Sequence, residues 1–281
     1  MPELDVDHFR SWVGRQEVLH DRVTRFPVAA LSATLDRDDP PPAAGDALPP
    51  LWHWLYFLPT ARQSALGPDG HPARGGFLPP VPLPRRMWAG GRLVFHQPLR
   101  VDEEITRAST VRDVTVKQGR QGPLCFVLVK HEISGAAGLA LEEEHDIVYR
   151  GLPGAGEASA APKPAPTDGV WRREVRPDDT MLFRYSALTF NSHRIHYDRR
   201  YVTETEGYPG LIVHGPLIAT LLMDLLRRNT SRVVKTFRFR AVSPLFDIAP
   251  FSVHGRPEAD TAALWARNGA GELAMEAEAG F

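Results

Sequence analysis

The sequence predicts an α+β fold made of two related units of antiparallel strands. Three observations favour it. Runs of β-branched or alternating residues fill residues 92–150 and recur after residue 234, which is typical of strands parted by turns. One long apolar helix interrupts the second set of strands. Between the two sets, residues 151–169 (GLPGAGEASAAPKPAPTDG) are rich in Pro, Ala and Gly and predict a linker. The predicted domains are therefore residues 1–150 and 170–281.

Before the first predicted strand, the chain shows mostly helical and loop patterns. Residues 5–24 carry apolar side chains at roughly helical spacing, and a second short helical pattern covers Val28–Leu35. Residues 37–50 predict a loop. The aromatic run 51–58 (LWHWLYFL) fits a helix or a strand equally well. Residues 66–91 are rich in Gly and Pro and predict a long ordered or semi-ordered loop.

The strands are predicted by two sets of short runs. From Arg92 onwards these are RLVFHQPL, ITRASTVRDVTV, LCFVLVKHEIS and LALEEEHDIVYR. In the C-terminal part they are KTFRFRAVSPL, PFSVHGR, AALWAR and ELAMEAEAGF, with RNGAG as a hairpin turn. Residues Phe95–Leu99 and Arg240–Leu245 occupy like positions in the two sets, which indicates an internal repeat of one antiparallel unit.

The long helix is predicted over residues 215–229 (GPLIATLLMDLLRRN). Its leucines form a broad apolar face, Pro216 suits the first turn, and Arg227 and Arg228 suit the last turn. An antiparallel sheet wrapped around one long apolar helix is a hot-dog arrangement, and two such units form a double hot dog.

Composition and charge exclude several classes of protein. The net charge of -1 and the pI of about 6.8 argue against a general binder of nucleic acid or of a membrane surface. The single cysteine, Cys125, allows no intrachain disulfide and fits a reducing compartment. The N-terminus has no signal-peptide core, and no apolar stretch approaches the ~20 residues that span a bilayer. We therefore expect a cytoplasmic protein with no membrane or nucleic-acid partner.

The segment FNSHRIHYD (residues 190–198) concentrates polar residues of chemical interest. His193 and His196 stand three residues apart and can face one way in a helix or a tight turn. A metal site would need a third ligand, and the segment offers neither a nearby cysteine nor an HExxH pattern, so we expect no metal. The segment alone leaves a catalytic site and a satisfied polar corner of the fold as alternatives.

The start of the long helix adds a second feature. His214 and Gly215 stand immediately before Pro216. The first amides of a helix have no acceptor within the helix and point outward with a partial positive charge. Gly215 lets a ligand approach this backbone closely. The helix start therefore predicts an oxyanion hole for a thioester carbonyl, with a plain turn before a helix as the alternative.

These motifs resemble those of the MaoC-like family of hot-dog enoyl-thioester hydratases and dehydratases. That family carries Asp-x-Asn-Pro-x-His-x-Asp, followed by His-Gly at the start of the central helix. The matching positions here are Asn191, His193, Arg194, His196, Asp198, His214 and Gly215. Longer stretches, such as LPRRMWAGGRL, EGYPGLIVHGPL and FRFRAVSPLFD, resemble a two-domain subgroup that includes mesaconyl-C4-CoA and itaconyl-CoA hydratases and dehydratases of fatty-acid synthesis, among them fungal-type relatives.

The resemblance implies a double hot dog whose C-terminal unit is catalytic. The N-terminal half lacks its own histidine motif, so its unit is expected to be degenerate and to shape the acyl or CoA pocket. In the family, a histidine activates water, a carboxyl group handles the proton of the α-carbon, and backbone amides hold the enolate oxygen. His196 is accordingly the expected base and the N–H of Gly215 the expected oxyanion donor.

The departure from the family pattern is Asn191, because an amide cannot exchange a proton as a carboxyl group can. Either His196 performs both proton transfers or the acid comes from elsewhere in the chain. The candidates for that acid are Asp198, His193, Tyr185, Glu144 and Asp146.

Arginines suit the phosphates of CoA and the free carboxylate of a dicarboxylic acyl group. Those near the recognisable motifs are Arg85, Arg86, Arg184, Arg194, Arg238 and Arg240. Arg184 and Arg194 flank the expected site and are the preferred contacts of an acyl carboxylate. His214 and Tyr185 are further candidates for substrate binding.

The function expected from these features is reversible hydration of an enoyl-CoA, preferably a branched C5 dicarboxylyl-CoA such as itaconyl-CoA or mesaconyl-C4-CoA, to give citramalyl-CoA. A 3-hydroxyacyl-thioester dehydratase acting on linear chains and a non-catalytic acyl-thioester-binding protein are the alternatives. We expect an acyl-CoA substrate, no cofactor beyond the coenzyme A within it, and a possible homodimer.

Overall fold

The computed structural model describes residues 4–119, 122–151 and 161–281 and shows one ten-stranded antiparallel sheet with helices packed on it. The elements, in chain order, are α1 (Val6–Arg10), β1 (Gln16–Arg22), α2 (Arg25–Thr34), β2 (Arg85–Phe95), β3 (Glu104–Gly119), β4 (Gly122–Gly135), β5 (Gly138–Arg150), β6 (Trp171–Val175), α3 (Asp179–Leu188), α4 (Gly215–Asn229), β7 (Thr236–Ala241), β8 (Phe251–Pro257), β9 (Thr261–Asn268) and β10 (Leu273–Gly280). Among the described residues, no helix is long and apolar enough to cross a membrane.

The sheet consists of two units with the same strand order. Its strands run β1-β3-β4-β5-β2-β7-β10-β9-β8-β6, so each half reads first, third, fourth, fifth and second strand from its outer edge. The halves meet where β2 pairs with β7. Gly90 stands at this junction because a Cβ there would lie 2.6 Å from the carbonyl oxygen of Phe239. The predicted internal repeat is therefore present in the topology, and its two matching segments lie at the ends of β2 and β7.

Two predictions near the N-terminus are wrong in part. The helix predicted over residues 5–24 ends at Arg10, and β1 follows it. Most side chains of β1 are polar, but their burial alternates along the strand because one face packs on the protein while the other meets solvent. The predicted loop 66–91 is shorter than expected, since β2 begins at Arg85. The short helix predicted over residues 28–35 corresponds to α2.

The long central helix α4 spans the predicted residues 215–229, and its middle is completely buried. Asp224 lies on this buried part, with 1% of its surface exposed. Its carboxylate accepts hydrogen bonds from Arg37 of the N-terminal unit at 2.7 Å and from Arg173 and Arg228 of the C-terminal unit, each also at 2.7 Å. Because a buried charge is costly unless it is paired, this network ties the two units together around α4.

The N-terminal unit has no counterpart of α4. Residues 35–84, all of which are described, contain only two short 3-10 turns, Trp52–Leu55 and Gln63–Ala65. The aromatic run 51–58 is thus neither a long helix nor a strand. Its residues Trp52, Leu55 and Tyr56 are buried in the main apolar core. The N-terminal unit is degenerate as expected, and the space that a second central helix would fill is left partly open.

The predicted linker is described only from residue 161 onwards and at Gly151, so most of its first half lies outside the described residues. Its second half is attached to the C-terminal unit. The N–H of Ala165 donates to Gly271, and the N–H of Leu273 donates to Lys163, at the turn between β9 and β10. The strands of the two units end at Arg150 and begin again at Trp171, close to the predicted boundaries.

Candidate active site

A large cavity of about 1720 Å³ opens between the two units. The segment 190–197 and the start of α4 line it from the C-terminal unit. From the N-terminal unit it is lined by the loop 53–79, by β2 and by inward-facing residues of β3, β4 and β5. The two features that the sequence analysis singled out, the histidine segment and the helix start, therefore face one space.

The backbone of the histidine segment is a sequence of tight turns. Phe190 adopts the left-handed conformation, with φ of 47°, and the chain turns away from the direction of α3 at this residue. The side-chain oxygen of Asn191 accepts the N–H of His193 at 3.0 Å, a local turn typical of asparagine. A short 3-10 turn over Arg194–His196 follows. These turns place Asn191, His193 and His196 on the cavity wall.

His196 is fixed in the geometry of a base. It is buried, and its Nδ1 lies 2.7 Å from the carbonyl oxygen of Ile212, so Nδ1 carries the proton and donates it. Its Nε2 then has a lone pair available to a ligand in the cavity. Burial lowers the pKa of His196 to about 4, against a weaker opposing effect of the Ile212 carbonyl. The ring is therefore uncharged at neutral pH.

His214 packs against one face of the His196 ring. It is completely buried, and its ring stacks on that of His196 with centroids 3.7 Å apart and planes 17° apart. Its Nε2 lies 2.8 Å from the hydroxyl of Ser186, and the edge of Tyr185 packs on its ring. Burial holds the pKa of His214 well below its usual range. His214 is absent from the cavity wall, so its expected contact with substrate is corrected to a packing role, whereas Tyr185 does line the cavity.

The start of α4 keeps the form expected of an oxyanion hole. Gly215 lines the cavity, and the preceding residue, His214, makes no side-chain cap to the helix. A Cβ at Gly215 would make only an ordinary van der Waals contact, 3.9 Å from the carbonyl oxygen of Trp88, so the surrounding protein leaves this position open. Among the described residues, no hydrogen bond engages the N–H of Gly215. This amide is available to an anionic oxygen.

An Asp–His pair that was not predicted from the sequence lies on the loop between α2 and β2. The Nδ1 of His71 lies 3.1 Å from Asp69, and the ring of His71 lies 4.0 Å from that of His193 between centroids. His71 lines the cavity. In the sequence, GPDGHP (67–72) signals a tight turn, but no local pattern shows that this turn reaches a segment more than a hundred residues later.

This loop is docked tightly on the histidine segment. The N–H of Arg194 donates to the carbonyl of Asp69 at 2.9 Å, and the hydroxyl of Ser192 donates to that of Gly70. Gly70 has φ of +87°, and a Cβ there would come 1.9 Å from the Ser192 carbonyl oxygen. Only glycine fits, so the position of His71 next to His193 is determined by the backbone.

We call His71, His193, His196 and His214 the histidine array. Burial lowers the pKa of each of the four rings. Asp69, whose own pKa is held well below its usual range by the hydrogen bonds of His71, is the only carboxylate hydrogen-bonded to the array within the described ranges. The array is thus a group of neutral imidazoles with one anionic partner at one end.

Asp69, His71 and His193 also bring one carboxylate oxygen and two ring nitrogens within 4.8 Å of one another. With Asp69 and His71, the set contains the additional potential metal ligands that the segment 190–198 lacks. A carboxylate can only accept a hydrogen bond, so Nδ1 of His71 holds a proton toward Asp69, and of this ring only Nε2 has a lone pair available. That no metal is needed stays a prediction.

Several candidates from the sequence lie away from the cavity. The carboxylate of Asp198 accepts Arg194 at 2.8 Å and the N–H of Tyr201 at 2.9 Å, so these two charged residues satisfy each other four positions apart. Arg184 is exposed on α3. The catalytic role expected of Asp198, and the substrate contacts expected of Arg184 and Arg194, are therefore corrected, because none of the three lines the cavity.

Two further candidates for the acid lie on the outward-facing side of β5, because side chains alternate between the two faces of a strand. Glu144 and Asp146 face outward and pair with Arg92 at 2.7 and 2.8 Å. Their neighbours Glu143 and His145 face the cavity instead. Arg238 and Arg240, which face outward in the same way, form exposed ion pairs with acidic residues of β10.

Arg85 and Arg86 both line the cavity. The guanidinium of Arg85 is held by Glu206, at 2.9 Å from its carbonyl oxygen, and by stacking on Tyr208. Arg86 lies close enough to the array to lower the pKa of His71 and His193, and it contacts the hydroxyl of Tyr149. Of the two, Arg86 is the one whose charge acts on His71 and His193.

The wall supplied by the N-terminal unit carries a buried acid. Glu143 is 2% exposed and lies 2.9 Å from His53 and 2.8 Å from the indole N–H of Trp54. His145 and His53 hold the pKa of Glu143 well below its usual range, although burial opposes them. Trp88 stacks on His145 and links this wall to the start of α4. The N-terminal part of the cavity is thus polar in places, although aromatic rings surround it.

Comparisons with known proteins agree with this geometry. The sequence model of the hydroxyacyl-thioester dehydratase type 2 family matches residues 51–247, a span that includes both walls of the cavity. The chain belongs to this family. Its members among known proteins include mesaconyl-C(4)-CoA hydratase of Chloroflexus aurantiacus, which is 50% identical over 275 residues and 95% of each chain.

A mitochondrial hydroxyacyl-thioester dehydratase type 2 of Schizosaccharomyces pombe is 28% identical to this family member, over 84% of this chain and 88% of that one. A solved structure from Mycobacterium tuberculosis, described as a double hotdog fold, superimposes with a TM-score of 0.56 at 12% identity and covers 97% of this chain and 98% of that one. The expected α+β double hot dog is confirmed.

Proposed function

We propose that this protein catalyses the reversible hydration of an enoyl-CoA thioester, and that its substrate is a branched C5 dicarboxylyl-CoA, mesaconyl-C4-CoA or itaconyl-CoA, with citramalyl-CoA as the product. The observation that carries the proposal is the convergence of two groups on one cavity. The Nε2 of His196 is available as a base, and the N–H of Gly215 is available as an oxyanion donor. The identity with the Chloroflexus hydratase supports the same reaction.

For mesaconyl-C4-CoA, whose double bond is conjugated to the thioester, the mechanism follows from these two groups. With the thioester oxygen at the N–H of Gly215, His196 removes a proton from water, and the water oxygen bonds to the β-carbon. The displaced π electrons move to the thioester oxygen as an enolate, which the amide and the dipole of α4 stabilise. Protonation of the α-carbon completes the addition. The reaction uses no group beyond the protein and the coenzyme A of the substrate.

Asn191 is suited to orient the water and not to exchange a proton. Its side-chain oxygen is engaged by the N–H of His193, so its NH₂ group is the part left to donate a hydrogen bond. Because Asn191 lines the cavity beside His196, that donor can hold the water oxygen while His196 accepts the proton.

The substrate class is supported by Arg86. In mesaconyl-C4-CoA the free carboxylate is separated from the thioester carbonyl by one double bond, so its receptor must lie beside the catalytic groups. Arg86 lines the same cavity as His71 and His193, and its planar guanidinium can bind a carboxylate with two hydrogen bonds. Arg85 is already held by Glu206 and completes the cationic wall.

The size of the cavity favours one alternative, a dehydratase acting on longer 3-hydroxyacyl thioesters. The cavity, at about 1720 Å³, exceeds the range of ~300–1,000 Å³ that is usual for ligand pockets. The buried Glu143 with its histidine partners argues against a long alkyl chain, because an apolar chain would cover these charged and polar groups without forming hydrogen bonds to them.

An acyl-CoA panel tests the proposal. The purified protein is mixed with mesaconyl-C4-CoA, itaconyl-CoA, crotonyl-CoA and a series of longer enoyl-CoAs, and mass spectrometry records the gain of water. We expect turnover to require the distal carboxylate. Preference for long linear chains would instead support the dehydratase, and binding without turnover of any substrate would support a non-catalytic thioester-binding protein.

A further inference from the structure

His71 is an imidazole of the cavity that the mechanism above does not use. It stands on a loop of the N-terminal unit, and its Nδ1 donates to Asp69, so the lone pair of Nε2 is available to another partner. The reaction needs a group that returns a proton to the α-carbon. Asn191 cannot supply it, and the outward-facing or paired carboxylates of Glu144, Asp146 and Asp198 do not line the cavity.

The array must hold one extra proton between the two halves of the reaction. Once His196 has taken the proton of water, the buried rings carry a positive charge until the α-carbon accepts it. The Nδ1–H of His196 donates a hydrogen bond to a neutral carbonyl oxygen, and the Nε2 of His214 lies beside a hydroxyl. His71 is hydrogen-bonded to the carboxylate of Asp69, and a neighbouring carboxylate favours an imidazolium. The proton is therefore most stable at His71.

Other charged groups near His71 do not reverse this order. Arg86 and Arg74 face it and oppose its charge, but Asp69 is the group within hydrogen-bond distance. Arg74 is also held in place by three backbone carbonyls of residues 81–84. A substrate carboxylate on Arg86 would neutralise that guanidinium and further favour a charged His71.

We propose that His71, positioned by Asp69, is the acid that delivers the proton to the α-carbon of the enoyl thioester. The inference rests on the proposed hydration. His193 links the two reactive rings, with centroids 4.0 Å from His71 and 5.5 Å from His196. The proton of water moves from His196 through His193 to His71 and then to the α-carbon. As that C–H bond forms, the enolate electrons restore the thioester C=O, and every ring is neutral again.

Hydrogen exchange at the α-carbon separates the two histidines. Succinyl-CoA has an α-CH₂ group but no double bond to hydrate, so in D₂O it reports proton transfer at the α-carbon alone. We expect the wild-type protein to exchange these hydrogens. His71→Gln lowers the exchange at least ~100-fold, the lower bound for a general acid or base, whereas His196→Gln keeps it and loses hydration. His20→Gln, at an exposed histidine outside the cavity, serves as the control.

Each outcome has a meaning. If His71→Gln exchanges the α-hydrogens of succinyl-CoA at the rate of the wild type, the role of His71 is overturned and the proposed hydration stands. The same follows if the wild type hydrates mesaconyl-C4-CoA but does not exchange succinyl-CoA. A wild type that neither hydrates mesaconyl-C4-CoA nor exchanges succinyl-CoA contradicts the proposed function itself. Activity that is lost on chelation and restored by a divalent cation would replace the relay with a cation bound at Asp69, His71 and His193.

Asp69 provides a second test should His71→Gln fail to fold. Asp69→Asn keeps the shape of the side chain and removes its charge, so we expect kcat to fall about 10-fold or more while KM is unchanged, with partial recovery in Asp69→Glu. A purely structural aspartate would instead lower the thermal stability and leave the kcat of the folded fraction as in the wild type. That second result would overturn the positioning role of Asp69.

Discussion

The imidazole rings of His196 and His214 stack with centroids 3.7 Å apart and planes 17° apart. The stack covers one face of His196, and the hydrogen bond from its Nδ1 to Ile212 fixes rotation of the ring. His214 is held in turn by Ser186. Only the Nε2 of His196 is left to meet a substrate, which is the arrangement that its proposed role as the base requires.

Removal of the base is expected to affect turnover more than binding. His196→Gln should lower kcat for mesaconyl-C4-CoA by about 10²–10⁴-fold and leave KM within a few-fold of the wild type, because general-base catalysis contributes on that order. Loss of the enoyl absorbance gives both constants. His20→Gln, at an exposed site, should behave as the wild type. If His196→Gln retained kcat, another group would have to be the base.

The pH dependence of kcat should report a neutral base. The pKa of His196 is lowered to about 4 from an ordinary value of 6.5, and only the uncharged ring can accept a proton. Activity is therefore present above the lowered pKa and is lost as the pH falls through about 4, so kcat should be flat between pH 6 and 8, to within roughly two-fold. A fall in kcat centred near pH 6.5 would show that burial does not control this ring.

The docking of the Asp69–His71 loop can be tested with two glycines. Gly70 and Gly14 both have φ of +87°, but a Cβ at Gly70 would meet the Ser192 carbonyl, whereas at Gly14 nothing lies within 4 Å. Gly14→Ala should cost only the left-handed strain of about 1–2 kcal/mol and keep full activity. Gly70→Ala should also displace the loop and lower kcat at least ten-fold. Equal kcat values in the two variants would contradict the docking.

The carboxylate receptor can be tested by a change of specificity. Arg86→Met should weaken kcat/KM for mesaconyl-C4-CoA by about 10–100-fold, the usual effect of losing hydrogen bonds to a charged group, and should leave crotonyl-CoA little affected. Arg184→Met, at an exposed arginine outside the cavity, is the matched control. A loss that was equal for both substrates would assign Arg86 to the CoA part and not to the acyl carboxylate.

The buried network around Asp224 predicts a stability effect. Asp224→Ala leaves the guanidinium groups of Arg37 and Arg173 without their buried partner, so the free energy of unfolding should fall by about 3–5 kcal/mol in denaturant titrations. Glu278→Ala breaks the exposed pair with Arg238 and should cost no more than about 1 kcal/mol. Similar losses in both variants would mean that the network does not hold the two units together.

The parts of the fold that could be predicted from sequence are those with a local pattern. The apolar face of α4, the alternation of the strands and the His–Gly helix start are all visible in neighbouring residues. The prediction of a helix in place of β1 is wrong because six apolar side chains between Val6 and Val23 have helical spacing although the stretch contains both a short helix and a strand.

The active site could be predicted only for its C-terminal half. His196 and Gly215 lie next to recognisable motifs, whereas Asp69 and His71 reach the site through contacts with Ser192 and Arg194 that no local pattern encodes. For two charged residues of the motif, by contrast, the sequence predicted a place in the site that they do not have. Arg194 and Asp198 stand close to His196, the proposed base, in sequence, but they pair with each other and do not line the cavity.

The most direct test of the central claim is the incorporation of heavy-oxygen water into mesaconyl-C4-CoA, followed by mass spectrometry of the acyl-CoA. The wild-type protein should produce citramalyl-CoA that carries one labelled oxygen on the carbon β to the thioester, and His196→Gln should produce almost none. Unlabelled or unchanged mesaconyl-C4-CoA with the folded wild-type protein, or equal labelling by His196→Gln, would contradict the account.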